Sequence, residues 1–282
     1  MHYHKPYHLL TAISLLTPTL GAPLQPPITN SSALPTHYGL LVFPHYQALD
    51  IFGPMDLLNS LFMMYSNSTP APQLSVLSRT LAPVTSAMLP GGFGQEIVPT
   101  TTFSQYLCEH TSADTAARRN CTDTSSSSSA PVRSAAKAST DIDVLVVPGG
   151  GGTRRDMSAE IAFIAATYPR LKYIISICTG ASLLSRAGVL SGRRATTNKR
   201  SWAWATSHGT NITWVATARW VADGNVFSSS GVSAGTDAMY AFVGSVYGEA
   251  VAEYMGWSLE YNRVTRWDED PFAAVWDVPE AA

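Results

Sequence analysis

The chain has 282 residues, 45% hydrophobic and 13% charged, which is ample apolar material for one large core or two modest ones. Its formal net charge of −2 and the lack of a basic run give no electrostatic footprint for nucleic acid or an anionic membrane surface, so a small neutral molecule is the expected partner. Three cysteines and scattered histidines show no zinc-like spacing, and no metal is expected.

Residues 1–22 have the order of a secretory signal peptide: a polar start, the apolar run Leu9–Leu16, and a small-residue end at Ala22. That run is too short to span a bilayer, and no later stretch reaches the roughly 18 apolar residues a membrane helix needs. The expectation is a secreted or lumenal protein with no membrane span. Asn-x-Ser/Thr tripeptides at Asn30, Asn67, Asn120 and Asn211 agree with a glycosylating pathway. In such a compartment Cys108 and Cys121 make sense as a disulfide pair, subject to geometry, with Cys178 left as a free thiol.

Residues 23–36 are rich in proline and small polar residues and read as an extended lead-in with no core of its own. Tyr38–Phe43 is an apolar run of the kind a buried parallel strand shows. Pro54 suits the first turn of a helix that continues through Met55–Tyr65. Asp50 then falls in the strand-to-helix connection, either as a site residue or as a capping carboxylate. Gln73–Ser78 reads as a second strand and Thr85–Phe103 as an irregular excursion. Residues 108–140, including Ser125–Ser129, read as an inserted flexible loop.

Asp143–Val147 returns to strand character and breaks at Pro148 and the run Gly149–Gly152, before a helical stretch over Met157–Thr167. Tyr173–Cys178 is a β-branched run ending in a cysteine, and the Gly/Ala/Ser-rich segment from Thr179 opens a helix at once. Strands follow in Gly192–Thr197 and Trp214–Ser230, the latter a hairpin around Gly224, and then helices over about 233–247 and 249–260. The tail, 263–282, carries Trp267, Phe272 and Trp276 and suits docking on the body or on a partner chain. Strands alternating with helices predict a single α/β domain with a mainly parallel sheet. Its strand-end loops bring Asp50, Gly149, Gly150 and Cys178 to one rim.

At a strand-to-helix turn Cys178 is either a nucleophile, its thiolate stabilised by the next helix's free N–H groups, or a buried core cysteine. The glycine run matches neither nucleotide-binding pattern. The Gly149, Gly150 and Thr179 amides suit an oxyanion-binding role, or the glycines serve only chain reversal. No histidine makes a credible triad partner: His208 sits in a polar turn, and His45 reads as an ordinary loop residue. Cysteine with a carboxylate suits addition to an electrophilic carbon with proton transfer.

Five segments, Leu49–Pro54, Val147–Gly150, Ser176–Gly180, Ala187–Thr197 and Ser233–Asp237, resemble in order and spacing the ThiJ/PfpI superfamily, and within it the isocyanide (isonitrile) hydratases. The resemblance covers about residues 38–262 and defines a domain over 37–262. It implies a flavodoxin-like three-layer sandwich with a nucleophile elbow, usually dimeric and needing no cofactor. It also implies that Cys178 attacks the substrate, that Asp50 handles protons and water, and that Thr179 stands beside the nucleophile. The product would be an N-substituted formamide formed through a cysteine thioimidate. The chain departs from these relatives at Asn198–Trp202, where they often carry His-Trp. Two alternatives remain: a glyoxalase- or deglycase-like activity on 2-oxoaldehydes, whose branches typically use a glutamate near the first strand, and a non-catalytic secreted ligand-binding protein.

Overall fold

The computed structural model describes residues 21–30, 33–111 and 141–279. Most of the expected signal peptide, with Asn120, Cys121 and nearly all of the insertion, lies outside them. In chain order the strands are β1 (His37–Leu41), β2 (Gln73–Ser78), β3 (Val84–Thr85), β4 (Glu96–Ile97), β5 (Thr101–Thr102), β6 (Val144–Val147), β7 (Tyr173–Ser176), β8 (Arg194–Ala195), β9 (Thr213–Trp214), β10 (Trp220–Asp223) and β11 (Val226–Ser229). Seven of them form one sheet in the order β10-β11-β7-β6-β1-β2-β5. Every pairing in it is parallel except the β10–β11 hairpin, whose turn Gly224 enables with a φ of 61°.

Every residue of β1 and β6 is buried, which is why these strands read as unbroken apolar runs rather than alternating ones. Helices cover both faces. On one, α1 (Ala48–Met64), α6 (Ala234–Tyr247) and α7 (Glu249–Ser258) pack together; on the other, α2 (Phe103–Thr111), α3 (Ser158–Thr167) and α4 (Gly180–Arg186) do so. Two short helices, α5 (Trp202–Thr206) and α8 (Phe272–Val275), complete the described set. The result is the three-layer α/β sandwich of flavodoxin-like folds. Gly53 marks where α1 crosses α6, since a Cβ there would lie 2.5 Å from Thr236 Oγ1.

Several expectations change. Helix α1 begins at Ala48, so Asp50 lies in its first turn rather than in a loop, and Pro54 sits inside the helix. A proline there removes only the bond from its own nitrogen to the Asp50 carbonyl, and the helix continues past it. The excursion over 85–103 supplies the edge strand β5, and α2 extends into the expected insertion, carrying Cys108. Cys108 is disulfide-bonded and Cys178 is free. The lead-in is pinned to the body: Tyr65 Oη donates to the Pro26 carbonyl at 3.0 Å, and Asn30 Nδ2 to that of Val246 at 2.6 Å.

The C-terminal segment docks on the body of its own chain. Asp237, in the first turn of α6, accepts Nε and Nη2 of Arg219 on one oxygen at 2.8 and 2.7 Å. Its other oxygen accepts Tyr261 Oη at 3.1 Å and the Val264 amide at 3.0 Å. The last of the five recognised segments thus anchors the start of the tail.

Candidate active site

Strand β7 ends at Ser176 and α4 begins at Gly180, leaving three residues to reverse the chain. Cys178 makes that turn with a φ of 57°, a left-handed conformation that costs a non-glycine residue about 1–3 kcal/mol. Contacts on both sides hold it there. The Cys178 amide donates to the Ser230 carbonyl at 3.1 Å, and Thr197 Oγ1 donates to the Cys178 carbonyl at 2.9 Å. The thiol is buried, and the groups acting on it are the Asp50 carboxyl, the backbone and hydroxyl of Thr179, and the side chain of Asn198.

Asp50 is fully buried and projects from α1 toward the elbow. The Gly149 amide donates to its Oδ2 at 2.8 Å, while Oδ1 has no well-formed hydrogen bond among the described residues. Burial raises its pKa to about 7 against the opposing hydrogen bonds from Gly149 and the Cys178 thiol. The thiol is itself pushed well above its ordinary range, first by burial and then by the Asp50 charge, with Thr179 and Asn198 acting the other way. Two acids therefore face each other in a buried site, where ionisation of Asp50 disfavours ionisation of the thiol. Burial thus favours the thiol over the thiolate expected from a helix N-terminus, acting against the hydrogen bonds that favour the anion.

The glycine loop fixes this geometry. A Cβ on Gly149 would lie 2.5 Å from the Thr179 nitrogen and 2.6 Å from its Oγ1, so only glycine lets β6's loop lie against the elbow. Gly150, at a φ of 125°, donates its amide to Thr179 Oγ1 at 3.0 Å, and Thr153 Oγ1 donates to the same atom at 3.1 Å. The Gln47 amide donates to the Gly149 carbonyl at 2.9 Å, joining the entry to α1 to this loop. Both glycine amides are thus committed to Asp50 and Thr179 rather than open to an oxyanion. They position the acid and the residue beside the nucleophile.

Sequence reasoning named Asn198 only as part of a departing segment and passed over Ser230. Asn198 opens the segment 198–202 that departs from the resembled hydratase pattern, and that departure was the signal. Ser230 follows β11 and had none. His208 packs edge-on against the Trp204 ring, centroids 5.0 Å apart, and its pKa is lowered by burial and by Arg186 and Arg154. His45 bonds the Ala87 carbonyl. Neither is among the groups acting on Cys178. Asn198 and Ser230 also line a cavity of about 240 Å³, walled on its outer side by Phe272 and Trp276 of the tail. A larger apolar groove, about 700 Å³, runs along α1 and the start of β2, and neither Cys178 nor Asp50 lines either space. Among the described residues no cluster of three or more His, Cys, Asp or Glu side chains suits a metal ion, and no helix is long and apolar enough to cross a membrane.

Comparison with known proteins places the chain among relatives of the same fold. An isonitrile hydratase from Pseudomonas putida is 32% identical over 225 residues, 79% of this chain and 77% of that one. A crystal structure of a ThiJ/PfpI family protein from Pseudomonas syringae superimposes with a TM-score of 0.59 at 26% identity, covering 89% of this chain and 86% of the other. DJ-1beta of Drosophila melanogaster shares the fold, with a TM-score of 0.57 at 16% identity over 81% of this chain and 100% of its own. The family model described as DJ-1/PfpI matches residues 80–245, which take in the glycine loop and the elbow. With a family model matching more than half of its length and a relative 32% identical over 79% of it, the chain belongs to the DJ-1/PfpI family.

Proposed function

We propose that this chain is a carbon–nitrogen lyase of the isonitrile hydratase type, adding water to an isocyanide to give an N-substituted formamide. The observation that carries the reading is the buried Cys178–Asp50 pair, with a carboxyl of pKa about 7 facing the thiol and no histidine acting on it. A base poised near 7 takes the thiol proton at the moment of attack, so a free thiolate need not accumulate. The 32% identity to the Pseudomonas putida isonitrile hydratase supports the same reading.

In this scheme Asp50 accepts the thiol proton as sulfur forms a bond to the terminal isocyanide carbon, and then delivers that proton to the carbon, giving a thioimidate. Water adds its oxygen to this carbon while Asp50 takes a water proton and passes it to nitrogen. As the C–S bond breaks its electron pair returns to sulfur, the remaining hydroxyl proton restores the thiol, and the formamide leaves. Atoms balance as one isocyanide plus one water, and the scheme calls on no cofactor. Thr179 supports the sulfur through its backbone N–H, and Gly149 keeps Asp50 oriented.

The reading extends to place and assembly. The signal-like first 22 residues and the disulfide at Cys108 support the secretory pathway, and the family resemblance supports a homodimer. A second reading, a non-catalytic ligand-binding protein, draws on the thiol form of Cys178 that burial favours. A panel of aryl and alkyl isocyanides tests both, with formamide production as the expected result. Turnover of methylglyoxal without any formamide points to 2-oxoaldehyde chemistry, and inactivity on both supports the binding protein.

A further inference from the structure

The cavity beside the elbow is built from parts that the reaction scheme leaves idle. Cys178 does not line it, but two lining residues touch the nucleophile: Asn198 through a side-chain hydrogen bond to the sulfur, and Ser230 through its carbonyl, which accepts the Cys178 amide. Ser230 is 1% exposed, and its hydroxyl has no partner among the described residues. A buried hydroxyl without a partner on the wall of a cavity has hydrogen-bonding capacity for a ligand. The outer wall is the tail, held by the buried Lys199–Asp270 ion pair at 3.7 Å and by the Asp270 amide, which donates to the Thr217 carbonyl at 2.8 Å.

Three cations line this cavity, and two are neutralised. Lys199 pairs with Asp270, and Arg219 makes its two bonds to Asp237. Arg200 makes no ion pair among the described residues, and its guanidinium lies 5.6 Å from the centroid of the Trp276 ring. Among the described residues the cavity thus presents one cation without a carboxylate partner, the exposed Arg200 beside the Trp276 ring, which the chain's net charge of −2 does not convey.

We propose that this cavity receives the N-substituent of the isocyanide and that Arg200 binds a carboxylate carried on that substituent. The substrate class is then a carboxylated isocyanide rather than the neutral molecule expected from overall charge. The inference rests on the hydratase reading for the reacting end of the molecule and on the cavity alone for the rest. A cavity of ~150 Å³ holds benzene. The space of about 240 Å³ takes a single ring or branched chain with its carboxylate at the mouth. A guanidinium fork matches a carboxylate bidentately, a fit that an ester lacks.

The test compares 4-isocyanobenzoate with its methyl ester as substrates for the wild type and Arg200→Gln. In parallel, titration calorimetry measures binding of the two products, 4-formamidobenzoate and its methyl ester. The wild type should favour the acid in KM and in product binding by about tenfold or more, the worth of a hydrogen bond to a charged group. Arg200→Gln should abolish the acid-over-ester preference in both KM and product binding, and Arg200→Lys should restore part of it. Turnover of both isocyanides with no preference for the acid overturns this proposal and leaves the hydratase reading standing. Arg200-dependent binding of 4-formamidobenzoate without turnover of either isocyanide supports the carboxylate pocket and overturns the hydratase reading. Neither preference nor turnover overturns both.

Discussion

Replacing Asp50 by asparagine should make the protein more stable at neutral pH while removing its activity. The folded state raises the Asp50 pKa from 3.8 to about 7, so between those values it binds more protons than the unfolded chain. Stability from this group is fully present below 3.8 and is lost as pH rises through 7. Above 7 the buried carboxylate costs the fold about 4 kcal/mol at most, since each tenfold change in proton affinity is worth about 1.36 kcal/mol. Asparagine keeps the carbonyl that accepts the Gly149 amide and carries no charge, although burying its NH2 beside the thiol returns roughly 1–2 kcal/mol of the gain. The net expectation at pH 8 is about 2 kcal/mol of added stability.

Urea unfolding followed by tryptophan fluorescence reads this directly. The cleanest quantity is the change in the variant-minus-wild-type difference between pH 8 and pH 5, which does not depend on what the amide itself costs. It should be roughly 2–3 kcal/mol, with the variant's advantage shrinking toward pH 5. The same variant should lose formamide production by roughly 10²–10⁴-fold, the usual worth of a general acid–base group. A variant destabilised equally at both pH values would mean that Asp50 is ionised and structural, and the proton-shuttle reasoning would fall.

Two further outcomes follow from the same geometry. For an uncharged isocyanide, kcat/KM should rise as pH passes through about 7 and then level off, because Asp50 must be ionised in the free enzyme to take the thiol proton; a flat profile between pH 6 and 8 contradicts this assignment. Gly149→Ala forces a Cβ against the Thr179 backbone, so it should lower stability by about 1–3 kcal/mol and activity together, read by denaturation and turnover. A stable, fully active Gly149→Ala protein would show that the loop does not need its close approach.

Much of the fold could be read before the structure because the central strands are buried on both faces. Leu40–Phe43, Val144–Val147 and Ile174–Cys178 are runs that only a covered parallel sheet accommodates, and each ends at a proline, glycine or cysteine that turns the chain. The edge was not legible: β5 is two residues long and owes its place to pairing with β2 rather than to its own pattern. Pro54 obscured the start of α1, since proline at a helix's first position is the commoner case.

At the site, residue types and order picked out Cys178, Asp50 and Thr179, but not the protonation state. Whether a strand-end cysteine is a thiolate depends on its burial and on the acid facing it, both products of tertiary packing. The commitments of the Gly149 and Gly150 amides are of the same kind, set by residues 99 and 29 positions away. Docking of the tail through Lys199 and Asp270 also joins distant residues that no periodicity links.

The central claim is that the Cys178 sulfur bonds to the isocyanide carbon. Proton NMR of an aryl isocyanide incubated with the wild type and with Cys178→Ala tests it most directly. The account predicts a growing formyl proton signal with the wild type and none above background with Cys178→Ala; formamide forming equally fast with both would contradict it.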